Sequence, residues 1–313
     1  MIIRNFADLA TTPLRRAGLC IINAGLRAIL TDRVIARAMN LRGEILTISD
    51  HEFDLGRFEN IYFIGFGKVA CDAGAALEKI LGSRLTGGRI IDIKDSSHAH
   101  PKIKIFKGTH PKPSAENVAA TGEILEFAKR FTEHDLVLVI VSGGGSALLC
   151  SSMEECDASQ RLYEDFMKVG APIMELNLAR RHLSTLKGGG LAKTLYPATV
   201  VGLIFCDIPG GECGAVASGP TYRDASTVAD AEAVLNKYKM AGYALNETPK
   251  EEKYFQRVVN IPMVSNDTAL AAMKAEAERL GFRPRVLNNA FYDPIAEVAV
   301  ARLGPPGQLV HVL

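Results

Sequence analysis

Apolar runs alternate along the chain with segments of helical periodicity, and this alternation is the main structural signal. Several of the runs contain no polar residue, which is typical of strands covered on both faces. The runs predict strands at 61–64, 89–93, 136–141, 199–205, 261–264, 284–287 and 309–313. The segments between them predict helices at 13–39, 69–81, 115–131, 158–186, 227–238, 268–280 and 294–303. Such alternation builds parallel sheets covered by helices, so we predict an α/β protein with a Rossmann-like, three-layer α/β/α fold and a mostly parallel sheet.

Length and charge narrow the class of protein. The chain has 313 residues, enough for one large α/β domain or for two domains of about 150 residues. Its 36 Lys and Arg residues balance 35 Asp and Glu residues, which excludes a general basic field for nucleic acid or for an anionic membrane. The apolar stretch at 19–30 is too short and too polar to span a bilayer. We therefore expect no nucleic-acid partner and no membrane partner, and any anion site must be local.

The cysteines and histidines point away from a metal site. Six cysteines form no CxxC pair and lie mostly in apolar or glycine-rich surroundings, which favours buried, reduced thiols over disulfides or zinc ligands. His98 and His100 would point to opposite sides of a strand, and no third ligand is evident. The cysteine pattern predicts a cytoplasmic protein.

The most informative motif is VSGGGSAL at 141–148, where an apolar run stops. Consecutive small residues at a strand end allow a tight turn whose amides point at an anion. We interpret this segment as a cradle for a phosphate or carboxylate, built from Ser142, Gly143, Gly144, Gly145 and Ser146. Three further glycine turns follow other apolar runs, at 65–68, 187–190 and 206–211. One such loop alone is usually a structural turn, whereas four in one chain favour a site.

Two charged residues at strand ends are candidates for chemistry. Lys68 follows a glycine turn and can reach over an anion bound at the start of the next helix. Its segment is neither a Walker motif nor GxGxxG, and a solvated surface lysine is the alternative. Asp207 directly follows the apolar run at 199–205, where α/β folds bind metals and nucleotides. Magnesium suits this carboxylate, and a turn-forming aspartate is the alternative.

Helical spacing sorts residues 175–192 into two faces. Leucine and alanine side chains form an apolar stripe on one face. The adjacent face presents an amide, a guanidinium, a hydroxyl and an ammonium group, from Asn177, Arg180, Ser184 and Lys187. Each of these groups can contact a carboxylate or phosphate, and arginine does so in bidentate fashion. An ordinary amphipathic surface helix is the alternative, although solvated faces usually mix charges and this segment contains no acid.

Smaller features complete the set of candidate binding residues. Gly188 and Gly189 follow the polar helix face, and a small-residue turn at 217–221 contributes Ser218 and Gly219. His110 begins a turn that prolines make rigid, so its imidazole is a fixed hydrogen-bond donor. A structural role for His110 is at least as well supported.

In order and spacing, five of these motifs resemble the glycerate 2-kinase family, whose members carry a C-terminal MOFRL domain. The resemblance covers residues 13–300, and its motifs are GFGKVA, GTHPKPS, VSGGGSALL, ELNLARRHLSTLKGGGLA and CDIPGGECGAVASGPT. It implies ATP-dependent phosphorylation of the 2-hydroxyl group of D-glycerate to 2-phosphoglycerate, with Mg²⁺ as the divalent cation.

The resemblance also implies roles for individual residues. Lys68 matches the family's lysine near the transferred phosphoryl group, Arg180 joins it in the expected catalytic set, and Asp207 is expected to be both catalytic and the metal ligand. His182 matches the family's polar helix as well. The expected substrate- and nucleotide-binding residues are His110, Ser142, Gly143, Gly144, Gly145, Ser146, Asn177, Ser184, Lys187, Gly188, Gly189, Ser218 and Gly219. Two departures from the family are Cys206 in place of the usual serine and Glu212 where aspartate is common.

Family members continue beyond the point at which this sequence ends. The resemblance therefore implies that residues 1–313 form the N-terminal type of α/β domain, with 240–313 leading toward a C-terminal domain that forms the other wall of the cleft. A chain without that wall is expected to show little turnover, because phosphoryl transfer depends on positioning. A non-catalytic sugar-acid or phosphate-binding module is one alternative. A hydroxypyruvate reductase is another, although no dinucleotide fingerprint is present. The oligomeric state is left open, with a homodimer as one assembly.

Overall fold

The computed structural model describes residues 1–94 and 101–286. The strands in these ranges are β1 (Met39–Arg42), β2 (Ile45–Ile48), β3 (His51–Asp54), β4 (Asn60–Phe66), β5 (Gly87–Asp92), β6 (Ile103–Lys107), β7 (Asp135–Val141), β8 (Thr199–Phe205) and β9 (Val258–Val264). The α-helices are α1 (Phe6–Leu9), α2 (Pro13–Ala28), α3 (Thr31–Ala38), α4 (Ala70–Leu81), α5 (Ala115–Ala128), α6 (Gly145–Leu148), α7 (Met153–Val169), α8 (Ile173–Leu183), α9 (Gly190–Leu195), α10 (Val228–Lys237) and α11 (Asn266–Arg279).

Six strands form one parallel sheet in the order β6-β5-β4-β7-β8-β9. The chain builds outward from β4 to β6, crosses back to β7 and continues outward on the other side. The strand order therefore reverses between β4 and β7, which is where parallel α/β folds leave a crevice at the carboxyl ends of their strands. The predicted α/β fold with a mostly parallel sheet is confirmed.

Both faces of this sheet are covered, which explains why its strands lack alternation in the sequence. Every residue of β7 is buried. Leu136 and Leu138 pack into one core with side chains of α3 and α4, whereas Val137 and Val139 pack into a second core with α5 and α9. The three-layer arrangement follows from these two cores.

Two parts of the fold lie outside the three layers. Strands β1 to β3 form a separate antiparallel sheet, and its side chains Leu46 and Ile48 join the core beneath α3 and α4. Between β7 and β8 the chain forms four helices, of which α7 and α8 share a small core with α10 around Leu162 and Phe166. Residues 239–250 form no helix and no strand.

Several predicted elements have different bounds in the structure. The helix predicted at 13–39 is divided into α2 and α3 and ends in β1. The helix predicted at 158–186 is divided into α7 and α8, because Gly170 has a φ of 64° and Pro172 caps the second helix. The sheet β1–β3 and strand β6 were not predicted. The elements predicted at 294–303 and 309–313 lie outside the described residues. Of the strand predicted at 284–287, residues 284–286 are described, and they form no strand of the sheet.

The thiols partly contradict the sequence interpretation. Cys150 and Cys156 form a disulfide with Cα atoms 6.1 Å apart, so the expectation of reduced cysteines is wrong for this pair. The pair connects the end of the segment after β7 to α7, and no spacing in the sequence indicates this pairing. Four other cysteines are free. In the described ranges, no helix combines the length and the apolar character needed to cross a membrane.

Candidate active site

Polar and charged side chains meet at the carboxyl ends of β4, β7, β8 and β9. They line a cleft of about 320 Å³ that contains Lys68, Ser142, Gly143, Asp207 and Asn266. We call it the carboxylate cleft. Because parallel strands end at the same edge, residues far apart in sequence are brought together there.

The turn after β4 packs directly on the turn after β7. The amide of Lys68 donates to the carbonyl of Gly143 (3.0 Å), and the amide of Val69 donates to the hydroxyl of Ser142 (3.5 Å). Gly67 has a φ of 115°, and a Cβ there would lie 2.1 Å from Oγ of Ser142. Glycine is therefore needed at this position for the two turns to approach. The side chain of Lys68 then crosses Gly144, whose Cβ position would lie 3.2 Å from its Cε.

The start of α4 is not an open anion cradle, contrary to the expectation for the turn at 65–68. The amide of Cys71 donates to the buried carboxylate of Asp92 (2.9 Å), and the amide of Val69 donates to the hydroxyl group of Ser142. Burial, followed by the charge of Asp92, raises the pKa of the Cys71 thiol to about 12, so the thiol stays protonated. The protein itself thus satisfies this helix end.

The segment after β7, residues 142–146, fits an anion better, and we call it the glycine loop. Gly145 donates its amide to the carbonyl of Ser142 (3.1 Å) and closes the turn. The amides of Gly143 and Gly144 have no acceptor in the described part of the chain. Gly144 adopts a φ of 89°, a left-handed conformation that favours glycine. Two free amides in one turn can bind phosphate or carboxylate oxygens.

Asp207 lies against the glycine loop. A Cβ on Gly143 would lie 2.1 Å from Oδ2 of Asp207, so the absence of a side chain at 143 makes room for the carboxylate. Within residues 1–94 and 101–286, no group of three or more metal-binding side chains exists. Magnesium commonly uses one or two carboxylates and completes its shell with phosphate and water. The exposed carboxylate of Asp207 fits that mode of binding.

A second cleft, of about 210 Å³, lies on the other side of the glycine loop and is lined by His110, Gly144, Ser146, Ser159 and Arg180 among others. We call it the arginine cleft. Burial lowers the pKa of Arg180 to about 10, and the guanidinium donates to Oδ1 of Asn177 (3.0 Å). No carboxylate pairs with Arg180 in the described residues. Burial and then the charge of Lys68 lower the pKa of His110, so its imidazole is neutral at neutral pH.

Hydroxyl and amide groups fix the wall between helix α8 and the glycine loop. The hydroxyl groups of Ser146 and Ser218 lie 3.0 Å apart, and that of Ser218 also donates to Oδ1 of Asn177 (3.4 Å). Gly219 donates its amide to the carbonyl of Val216. Asn177 and Ser218 therefore position Arg180 and Ser146.

The structure places Ser184 and Lys187 away from both clefts, so the predicted polar helix face does not form as a unit. Helix α8 ends at Leu183, before either residue. Lys187 is only 1% exposed, and its Nζ donates to Glu155 (2.7 Å), to the carbonyl of Leu149 (3.0 Å) and to Ser184. Burial raises the pKa of Glu155, but the charge of Lys187 and hydrogen bonds to the carboxylate lower it further, to a net value below the usual one.

Gly188 and Gly189 also have a structural role. Their amides donate to the carbonyls of Ser218 (3.0 Å) and Gly219 (2.8 Å), so they hold the turn that carries Ser218. His182 is fully buried, with Nδ1 2.9 Å from the carbonyl of Asn246. Because of these contacts, Gly188, Gly189 and His182 present no free hydrogen-bond donor to either cleft.

Sequence reasoning missed several residues of the clefts. Ser265 and Asn266 follow β9 as Asp207 follows β8, and this position after an apolar run could have identified them. Ser159 and Tyr163 reach the arginine cleft from α7. Nothing in the periodicity of α7 distinguishes a residue that faces a cleft from one that faces the core.

Comparison with known proteins gives consistent results. Residues 19–249 match the family described as "Domain of unknown function (DUF4147)". The glycerate kinase of Bos taurus is 35% identical over 90% of this chain and 60% of its own length, and the glycerate 2-kinase of Pyrococcus horikoshii is 30% identical over 88% and 64%. A crystal structure of glycerate kinase from Thermotoga maritima superposes with a TM-score of 0.74 at 27% identity, over 88% of this chain and 64% of that one.

The chain thus spans about 60% of the length of the curated relatives it matches. The match to the domain covers most of the chain, and the relatives that match along nearly all of it are glycerate kinases. This chain therefore belongs to the DUF4147 family.

Proposed function

We propose that this chain binds ATP and D-glycerate on opposite sides of the glycine loop and transfers the terminal phosphoryl group to the 2-hydroxyl group. The observation that carries the proposal is the pair of clefts that meet at Gly143 and Gly144, with Lys68 between them. One cleft presents a carboxylate and the other a guanidinium. The names of the relatives support the same reaction.

The carboxylate cleft suits the nucleotide. It lies at the carboxyl edge of the sheet, where parallel α/β folds bind nucleotides. The free amides of Gly143 and Gly144 would bind phosphate oxygens, and Asp207 would hold Mg²⁺. When bound, the metal neutralises charge on the phosphates. A carboxylate beside a phosphate is otherwise repulsive, so a cation between them accounts for Asp207 at this place.

The arginine cleft suits glycerate. Its guanidinium has no carboxylate partner in the described residues and can take the carboxylate of the acid in bidentate fashion. The neutral imidazole of His110 can accept the proton of the attacking hydroxyl group, because burial and Lys68 lower its pKa. Lys68 would stabilise the charge on the phosphoryl group as it moves between the clefts.

The comparisons do not favour a non-catalytic binding module or a hydroxypyruvate reductase. The arginine cleft alone would serve a binding module, but the carboxylate cleft adds a second, differently charged site on the same loop. The use of Mg²⁺, a cytoplasmic location and a homodimer stay predictions.

Calorimetry and a coupled assay for 2-phosphoglycerate test the proposal together. The unmodified chain should bind MgATP and D-glycerate separately, and any 2-phosphoglycerate that it forms gives the reference kcat. Lys68→Met should lower kcat by about 10²- to 10³-fold, as expected for loss of one transition-state donor. Lys129→Met, at an exposed ion pair, is the control. Failure to bind either compound contradicts the proposal, and an unchanged kcat in Lys68→Met removes Lys68 from the chemistry.

A further inference from the structure

Ser159 is a buried polar residue in the arginine cleft that none of the motifs includes. It lies in the middle of α7, it lines the cleft together with Arg180, and only 8% of its surface is exposed. Its hydroxyl group has no hydrogen-bond partner among the described residues.

An unpaired hydroxyl group at such a place is unusual. A helical serine commonly donates to the carbonyl four residues earlier, which here belongs to Glu155, yet Ser159 makes no such bond. Buried polar groups in native proteins are nearly always paired, and alanine is the better helix former. The free hydroxyl therefore destabilises the ligand-free protein, and a bound ligand that pairs with it would remove that cost.

Two neighbouring polar groups of the cleft are already engaged. The hydroxyl of Ser146 pairs with Ser218, and the amide of Gln160 donates to Glu164 (3.0 Å). Lys112 at the cleft is paired with Glu164, whereas Arg180 has no acidic partner in the described residues. His110 and Gly144 form the end of the cleft next to Lys68. A small acid bound to Arg180, with its reacting hydroxyl group toward His110, has one further polar group left to satisfy.

We propose that Ser159 binds the second hydroxyl group of the acceptor and so makes the cleft selective for small 2-hydroxy acids that carry an additional hydroxyl group. This inference rests on the proposed function, because it takes D-glycerate as the acid bound at Arg180. Ser159 is then a specificity-determining residue. Sites built to pair with a substrate hydroxyl reject analogues that lack it, since a buried group is left unpaired.

Calorimetric titration of D-glycerate and D-lactate tests the proposal, because D-lactate keeps the carboxylate and the 2-hydroxyl group but lacks the other hydroxyl. The unmodified chain should bind D-glycerate more tightly. Ser159→Ala should weaken D-glycerate binding about five- to tenfold, the loss of one hydrogen bond, and leave D-lactate binding unchanged. The midpoint of thermal unfolding of the ligand-free variant should be equal or higher. Ser83→Ala, at an exposed turn, is the control and should change none of these values.

The outcomes separate the two proposals. If the unmodified chain binds D-glycerate and Ser159→Ala binds it equally well, the role of Ser159 is wrong while the proposed function stands. If Ser159→Ala unfolds at a lower temperature and weakens both acids equally, the hydroxyl is structural and the inference is also wrong. If the unmodified chain binds no D-glycerate, the proposed function fails, and the inference fails with it.

Discussion

Three cationic residues that the sequence suggested for the site differ in their surroundings, and the difference decides what each can do. Lys68 is exposed beside Gly144, whereas Lys187 is buried against Glu155. Arg180 is half-buried and has no carboxylate partner in the described residues. A buried charge that is already paired belongs to the scaffold, but a buried charge without a counterion is poised for an anionic ligand.

At the scale of elements, the glycine loop depends on an approach that only glycine allows. Gly143→Ala would place Cβ 2.1 Å from the carboxylate of Asp207 and would displace one of the two. Binding of MgATP should weaken by about tenfold or more, as expected when charge-assisted contacts are lost. Calorimetry gives the affinity, and chemical denaturation gives the stability of the variant.

Gly122→Ala is the matched control for that substitution. Gly122 lies in α5, and its Cβ position has no atom within 4 Å. Alanine should therefore stabilise this helix by about 0.5–1 kcal/mol and leave MgATP binding unchanged. If Gly143→Ala binds MgATP as well as Gly122→Ala does, the close approach of Asp207 to the glycine loop is not needed for MgATP binding.

The buried pair between Lys187 and Glu155 connects α7 to the segment after α8. Lys187→Met should lower the free energy of unfolding by about 3–5 kcal/mol, because it leaves the carboxylate of Glu155 buried and unpaired. Urea denaturation measures the change. Lys129→Met, at the exposed pair with Glu126, should cost less than about 1 kcal/mol.

The pH dependence of stability distinguishes this pair from a simple packing contact. The net pKa of Glu155 is lowered in the folded state, so its contribution is present above the ordinary value of 4.5 and is lost as the pH falls through the lowered one. The difference in stability between the unmodified chain and Lys187→Met should therefore shrink in acid. A difference that does not change with pH would indicate packing rather than charge.

The elements that could be predicted from the sequence are those whose pattern reflects burial on both faces. Strand β8 was predicted with its observed bounds, Thr199–Phe205, because an uninterrupted apolar run fits a central strand. The strands β1 to β3 were missed because each has four residues and alternates weakly. The division between α7 and α8 depends on Gly170 and Pro172. It was missed because the helical periodicity on both sides of these residues favours one continuous helix.

Residues of the site were predictable to the extent that they follow strands of the sheet. Lys68, Ser142 and Asp207 lie at one edge because parallel strands end together. Lys187 was misplaced because its partner, Glu155, comes from another helix, and a contact between distant segments leaves no pattern in one sequence. Ser159 was missed for the same reason.

At the scale of the whole molecule, the two ends of the described chain pack together and close the carboxylate cleft. Helix α2 lies against α11, and Gly25 faces Met273 and the carbonyl of Ala269. Ile29, just after α2, and Ala269 of α11 both line the cleft. The shape of the nucleotide side of the proposed site therefore depends on the contact between α2 and α11.

Gly25→Leu tests this connection. A Cβ at this position would lie 2.6 Å from Cγ of Met273 and 3.3 Å from the carbonyl oxygen of Ala269, so the larger side chain should push the two helices apart. Overpacking of this kind lowers the free energy of unfolding by about 1–3 kcal/mol. MgATP binding should weaken, whereas D-glycerate binding should be retained because the arginine cleft does not touch these helices. Gly18→Leu, on the same helix but with no atom within 4 Å of its Cβ position, should leave MgATP binding unchanged and raise the free energy of unfolding by about 0.5–1 kcal/mol, because leucine is the better helix former. Equal affinities for MgATP in the two variants, measured by calorimetry below the unfolding transition, would mean that the contact stabilises the fold without shaping the cleft.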